Sequence, residues 1–123
     1  MLATRILIRR SLILVSAAGA VYFLCSGYIK PLIAGWPLTV DAASDKVIAQ
    51  LSYEQKAELR ATSKENLNNY HFGLGMTIRN QFGLWQGNWA LLESACDTPC
   101  QPDDASAVII ERTWEKLRSQ QSH

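Results

Sequence analysis

His71–Trp85 reads HFGLGMTIRNQFGLW, and its spacing decides the fold that we expect for this chain. Leu74, Ile78 and Phe82 recur every four residues, which places them on one face of a helix, with His71 one turn earlier. We call this stretch the motif segment. It predicts a helix packed against a small helical core.

Two glycines inside the predicted helix, Gly73 and Gly75, need an explanation. Each destabilises a helix interior by about 1 kcal/mol relative to alanine. A close crossing by another helix explains them if only a missing side chain permits the approach. Backbone exposed to a ligand is the alternative, but a lone G-x-G without a preceding strand is a poor phosphate-binding pattern. We favour close packing.

An apolar run without any charged residue covers Ser11–Ile29. A helix of this length spans roughly 28 Å, close to the thickness of a bilayer core. Three arginines precede the run and only Lys30 follows it, which orients the N-terminus towards the cytoplasm. Residues 1–30 therefore predict a single-pass signal anchor, with the remaining chain outside the cytoplasm.

A cleaved signal peptide is the alternative to an anchor. Ala18-Gly19-Ala20 has small residues at suitable positions, but the apolar run continues beyond it, and Cys25-Ser26-Gly27 is better placed. Cleavage there would release the domain into the periplasm. We favour an uncleaved anchor that holds the protein to the membrane through residues 11–29.

Residues 31–38 form a connector that contains the sequence PLIAGWP. Its two prolines prevent a helix from running through it undisturbed. Trp36 suits a membrane–water interface, where tryptophan is enriched, and it suits packing on the following domain equally well. Residues 39–118 are then the folded domain, and residues 119–123 are a polar tail.

Capping signals predict four to five helices and no strand in this domain, which is an all-α fold. Thr39 precedes a helix over Val40–Gln50, and Ser52 with Gln55 forms a capping box for a second helix. Thr62 with Glu65 suggests another capping box, which would open the long helix that ends near Phe82.

The remaining boundaries follow from glycine and proline. Gly83 stands where a left-handed C-terminal cap belongs, and the Gln86-Gly87-Asn88 turn precedes a short helix over Trp89–Ala95. Pro102 opens the last helix, because proline is favoured at the first helical position. Trp85 is expected to fill the core.

The charge of the domain limits its partners. From Asp41 to His123 there are eight Lys and Arg against eleven Asp and Glu, a net charge of about −3. Nucleic-acid binding requires a basic surface, so we expect no nucleic-acid partner.

Cys96 and Cys100 bracket the loop CDTPC. Nearby cysteines in a small extracytoplasmic domain are usually paired, and a turn that contains proline can bring them together. A zinc site is the alternative, but no second C-x-x-C or H-x-x-H pattern accompanies them. A thioredoxin-like centre has a different spacing. We expect a disulfide, no metal and no cofactor.

HFGLGMTIRNQFGLW and QPDDASAVIIERTWEKL resemble a small, uncharacterised bacterial helical domain family, a domain of unknown function. Its signature runs approximately H-F-G-L-G-M-x-I-R-N-x-x-G-L-W, followed later by P-D-D-x-S, and the resemblance covers Val40–Leu117. The CDTPC loop and the anchor depart from it and suggest work outside the cytoplasm. The resemblance implies no activity. The residues that match are His71, Gly73, Gly75, Arg79, Asn80, Gly83, Trp85, Pro102, Asp103, Asp104 and Ser106.

Two roles are open for the polar motif residues. A buried guanidinium at Arg79 needs a carboxylate, and Asp103 or Asp104 would supply it, so that Arg79 and Asn80 tie the long helix to the last one. Alternatively, His71, Arg79, Asn80 and Asp104 form an acid–base or anion-binding cluster. No nucleophile–base pair, P-loop or HExxH pattern supports catalysis, and we favour the structural role.

Three functions follow. We favour a protein-binding module at the outer face of the inner membrane, of the immunity or envelope accessory type, without catalysis. The second is a small hydrolase or transferase with His71 as base and Asp104 as its orienting acid. The third is a structural subunit of an inner-membrane complex, paired through its anchor.

Overall fold

A computed structural model describes residues 29–98 and 100–122, and all the regular secondary structure in these ranges is helical. The predicted all-α fold is confirmed for this part of the chain. The helices that follow the connector are Val40–Gln50, Tyr53–Ala61, Lys64–Tyr70 (3-10), His71–Gly75 (π), Met76–Gln81, Trp89–Ala95, Pro102–Ser119 and Gln120–Ser122 (3-10).

The predicted membrane span, Ser11–Ile29, lies outside the described residues except for Ile29. Among the helices of the described ranges, none combines the length and the apolar character that crossing a bilayer requires. At the other end, Ser119 closes the last helix and one 3-10 turn follows, within the range predicted as a polar tail.

The first two helices begin where their caps predict. The Thr39 hydroxyl accepts a hydrogen bond from the Ala42 N–H at 3.1 Å. Ser52 and Gln55 form the expected reciprocal box, since the Ser52 N–H donates to the Gln55 side chain and the Gln55 N–H donates to the Ser52 hydroxyl. These caps satisfy N–H groups that have no partner within a helix.

The predicted capping box of Thr62 and Glu65 is wrong. The Thr62 hydroxyl donates to the Glu58 carbonyl at 2.9 Å and shares a hydrogen bond with the Tyr70 hydroxyl, so it ends the preceding helix instead. The next segment starts after Ser63, which makes no side-chain cap. What we predicted as one long helix therefore winds as 3-10, then π, then α, with the π-helix at His71–Gly75.

Gly83 ends this run as predicted. Its φ is +69°, and the Leu84 N–H donates to the Arg79 carbonyl at 3.2 Å, as in a left-handed helix cap. A Cβ at Gly83 would lie 2.5 Å from the Trp36 ring. The connector tryptophan therefore packs on the domain, which was one of its two predicted positions.

The last helix, Pro102–Ser119, contacts most of the other helices. Ala105 and Ile109 are fully buried in a cluster with apolar residues from the first helix, the motif segment and the Trp89–Ala95 helix. The indole N–H of Trp114 donates to the Thr62 carbonyl at 2.9 Å. This helix is thus the support against which the motif segment is held.

Candidate functional site

A polar cluster joins the inner face of the motif segment to the last helix. We call it the Arg79 cluster, and it consists of Arg79, Asp103, Ser106 and the His71 carbonyl. Arg79 Nε lies 3.1 Å from Asp103 Oδ1, its Nη1 donates to the Ser106 hydroxyl at 2.9 Å, and its Nη2 donates to the His71 carbonyl at 3.2 Å. The Arg79 side chain is 5% exposed and that of Asp103 is 49% exposed. The predicted pair between Arg79 and an acid of the last helix is therefore present, with Asp103 as the acid.

The Arg79 cluster leaves little room for a side chain at Gly75. A Cβ at Gly75 would lie 3.0 Å from Arg79 Nη1, 3.3 Å from the Tyr70 carbonyl oxygen and 3.6 Å from the Ser106 hydroxyl. The predicted close crossing by another helix is thus found only in part at Gly75, because the tighter contacts come from Arg79 and Tyr70 while Ser106 of the last helix is at ordinary contact distance. At Gly73 it is wrong, because a Cβ there would meet no atom within 4 Å.

The outer face of the same segment is apolar and accessible. Phe72 is 78% exposed and Met76 is 47% exposed, and the two lie four residues apart at the junction of the π- and α-helices. The His71 ring packs edge-on against Phe72, with 4.8 Å between ring centroids. Two large apolar side chains therefore face solvent within the motif segment.

A groove of about 590 Å³, which we call the Gly73 groove, lies between the motif segment and the first two helices, and Phe72 and Met76 are not among the residues that line it. Gly73, Leu74 and Thr77 line it from the motif segment, and Leu51 and Leu59 line it from the first two helices. The space left open by the missing side chain of Gly73 belongs to this groove. It is large enough for one or two side chains of another molecule.

The acid–base pair of His71 and Asp104 is not formed. Asp104 Oδ2 accepts the Gln101 N–H at 3.2 Å, so this carboxylate caps the last helix. Ser106 is held as well, because it accepts from Arg79 and donates to the Asp103 carbonyl at 2.9 Å. No hydrogen bond or ion pair joins His71 to Asp104 among the described residues.

A smaller cavity of about 250 Å³ lies beside His71, lined by Ser106 and Ile110 of the last helix. The one lysine that lines it is paired, since Lys64 Nζ lies 2.7 Å from Glu111 Oε1. The hydrogen bond from Glu111 raises the pKa of the Lys64 ammonium above its ordinary value. The pairing leaves this cavity without a free charge for an anion.

Two motif residues lie elsewhere than expected. Asn80 is exposed, and the hydrogen bonds to the last helix come from Arg79. Trp85 does not fill the core as predicted, since it is 58% exposed. The apolar neighbours of Trp85 in the sequence suggested burial, but Leu84 takes the inward position at the turn after Gly83.

Asn88 is a buried polar residue whose role the sequence did not reveal. Its amide nitrogen donates to the Pro37 carbonyl at 2.9 Å and to the Phe82 carbonyl at 2.8 Å, while its oxygen accepts the Leu91 N–H. Asn88 thus links the connector, the end of the motif segment and the next helix. Its position directly before a helix was the available signal, because asparagine is a favoured N-cap.

Cys96 and Cys100 are joined by a disulfide, with 6.1 Å between their Cα atoms. The bridge closes the loop before the last helix. Among the described residues, no group of three or more His, Cys, Asp and Glu side chains is arranged to hold a metal ion.

Exposed ion pairs also join the last helix to the first. Arg112 Nη2 lies 2.9 Å from Asp41 Oδ1, and Lys116 Nζ lies 2.7 Å from Asp45 Oδ1. Hydrogen bonds from Lys116 and Arg112 lower the pKa of Asp41 below its ordinary value. These pairs join the last helix to the first, whereas the Arg79 cluster joins the last helix to the motif segment.

No curated protein and no solved structure matches the chain. A family model does match it, and the match includes both stretches on which the resemblance was based. It begins at Trp36, whose ring covers Gly83, and ends at the buried Leu117. Since residues 36–117 match the domain of unknown function DUF6794, the chain belongs to that family.

Proposed function

We propose that this chain is a membrane-anchored, extracytoplasmic protein-binding module, of the immunity or envelope accessory type, and that it carries out no catalysis. The observation that carries the proposal is the exposed apolar face of the motif segment, formed by Phe72 and Met76, whose sequence neighbours Gly73 and Thr77 line the Gly73 groove. Phenylalanine and methionine are enriched where proteins contact one another.

The support behind this face favours binding. The Arg79 cluster and the last helix hold the segment from inside, so little conformational freedom is lost when a partner binds. A π-helical turn is rare and is frequently found at functional sites. The open space at Gly73 would accommodate a short apolar side chain of a partner.

The polar groups that an enzyme would need are already engaged. Asp104 caps a helix and the Ser106 hydroxyl lies between Arg79 and the Asp103 carbonyl. Neither is poised as a nucleophile or as the orienting acid of His71. These contacts favour a binding module over a hydrolase or transferase.

Capture of a partner from detergent-solubilised membranes tests the binding face. We expect the double variant Phe72→Ala/Met76→Ala and the variant Gly73→Leu, which fills the groove, to lose a protein that the unmodified chain retains. Tyr53→Ala is the matched control, since Tyr53 is 82% exposed outside the motif segment. Equal capture by all four chains would contradict the proposal.

The location is proposed from the sequence, through the apolar run Ser11–Ile29, the three arginines before it and the Cys96–Cys100 pair. A reporter that is active only outside the cytoplasm, fused to the C-terminus, should be active. A reporter that is active only inside should be silent, and the reverse pattern would contradict the location. An adjacent toxin gene would favour the immunity type.

A further inference from the structure

The connector is fastened to the domain along its length. The Lys30 ammonium donates to the Gln86 carbonyl at 3.2 Å, the Trp36 ring covers Gly83, and the Pro37 carbonyl accepts from Asn88. Pro31 and Pro37 are both buried. Residues 30–37, which are Lys30 and most of the connector, are therefore held against the domain. We call these residues the shoulder.

The surface beside this shoulder is apolar. Three apolar side chains in and just before the connector are exposed, namely Ile29, Leu32 and Ile33. Across the contact between Lys30 and Gln86 stand two exposed tryptophans, Trp85 and Trp89, at 58% and 63%. The indole nitrogen of Trp89 lies 3.6 Å from the position of a Cβ on Gly87, so its ring rests against the same turn.

The chain itself indicates what covers this surface. The uncharged run Ser11–Ile29 ends at Ile29, which is also the first residue that the structure describes. On the proposed anchor, Ile29 leaves the bilayer core. The contact from Lys30 to Gln86 then puts the Trp85 turn within one lysine side chain of that exit point. Tryptophan is enriched at the membrane–water interface, because its ring is largely apolar and its indole N–H is polar.

We infer that Trp85 and Trp89 are inserted into the headgroup region of the bilayer that holds the anchor. The domain then lies on the membrane surface in one orientation, with Trp85 and Trp89 in contact with the lipid. This inference rests on the anchor of the proposed function, but it concerns a different surface from Phe72 and Met76.

The charges of this surface indicate the type of lipid contact. Lys30 and Lys46 both donate to backbone carbonyls of the shoulder and its neighbouring turn, and Glu93 and Asp97 line the cavity that includes Trp89. The surface carries both signs of charge, so its contact with lipid is made by the indole rings rather than by a basic patch. A zwitterionic bilayer is therefore sufficient.

Quenching by brominated lipid tests the inference on the full chain reconstituted in phosphatidylcholine vesicles. Bromine placed near the headgroup end of the acyl chain quenches tryptophan at the interface. The chain has four tryptophans. We expect Trp85→Phe/Trp89→Phe to lose more than about half of the quenching seen in the unmodified chain. Trp114→Phe is the matched control, because Trp114 is bonded to Thr62, and it should retain the quenching.

Three outcomes would overturn the inference. Equal quenching in the unmodified chain and in Trp85→Phe/Trp89→Phe would show that these rings lie outside the bilayer. Blue-shifted emission of Trp85 and Trp89 without bromine quenching would show that a second copy or another part of the chain covers them. Release of the chain from the vesicles by alkaline carbonate would remove the anchor and, with it, this inference.

The first two outcomes leave the proposed anchor intact, since the chain stays in the vesicles. Partner capture separates the two surfaces further. Trp85→Phe/Trp89→Phe should capture the partner as well as the unmodified chain does, while Phe72→Ala/Met76→Ala should keep full bromine quenching.

Discussion

On the inner face of the motif segment, Arg79 packs against the last helix. Both of its terminal nitrogens donate hydrogen bonds, and Gly75 leaves room for its side chain. On the outer face, Phe72 and Met76 stand in solvent, and Gly73 leaves its space open. The two faces occupy the same few residues of the chain. The inner face forms structural contacts, whereas the outer face carries the exposed apolar side chains that the proposed partner would cover.

This contrast shows why one motif carries two kinds of residue. Polar residues with fixed partners stabilise the fold, and exposed apolar residues on a rigid backbone provide a surface for binding. Substitutions on the inner face should therefore change the free energy of unfolding. Substitutions on the outer face should change binding and leave stability nearly unchanged.

The largest effect is expected at Asp103. Asp103→Ala leaves the guanidinium of Arg79 buried without a counter-ion, which should cost about 3 kcal/mol of unfolding free energy. Arg79→Met keeps the buried volume and leaves Asp103 half exposed to water, so it should cost only about 1 kcal/mol, mainly through lost hydrogen bonds. Urea unfolding under non-reducing conditions measures both.

The double variant Arg79→Met/Asp103→Ala sharpens this test. It should be more stable than Asp103→Ala alone, because no buried charge remains without a partner. If Asp103→Ala proves as mild as Arg79→Met, the pair contributes little and the inner face is not held by it.

The two glycines should respond in opposite directions. Gly75→Ala forces Arg79 and the Tyr70 carbonyl to shift, which should cost about 1–3 kcal/mol. Gly73→Ala meets no atom and has helical backbone, so it should stabilise the chain by about 0.5–1 kcal/mol. Thermal unfolding distinguishes them, and two shifts of the same sign would remove the contrast between the faces.

The smallest effect concerns the exposed ion pairs of the last helix. The pKa of Asp41 is lowered by Lys116 and Arg112, so its contribution to stability is present above its unfolded pKa of about 3.9. This contribution is lost as the pH falls through the lower, folded-state value. Asp41→Asn should therefore show a smaller acid-induced loss of stability than the unmodified chain.

Added salt should weaken the same contribution, because exposed pairs are screened. A matched acid titration of Asp41→Asn and the unmodified chain in low and high salt measures both effects. Identical curves would show that the ion pairs of Asp41 contribute nothing measurable to stability.

Much of the fold followed from local signals. Thr39, Ser52 and Pro102 marked helix starts because each supplies a cap or a fixed φ at the first turn. Gly83 marked an end because the left-handed conformation there favours glycine. The partner of Arg79 was predicted to be Asp103 or Asp104, because a buried guanidinium needs a carboxylate, and only the structure shows that it is Asp103.

Other features depended on tertiary contacts that a local pattern does not contain. Thr62 had the spacing of a cap, but its hydroxyl bonds to Glu58 and Tyr70, and the following backbone winds as a 3-10 helix. The π-helix at His71 has no signature in the residues alone. Trp85 has the composition of a core residue, and only the turn after Gly83 directs it outward.

Site-specific photo-cross-linking in living cells tests the central claim most directly. A photoreactive residue at position 72 should form a covalent adduct with a second protein, whereas the same residue at position 53, which is equally exposed, should form none. An adduct at position 72 that Gly73→Leu abolishes would match the account. Absence of any adduct at position 72, or equal adducts at both positions, would contradict it.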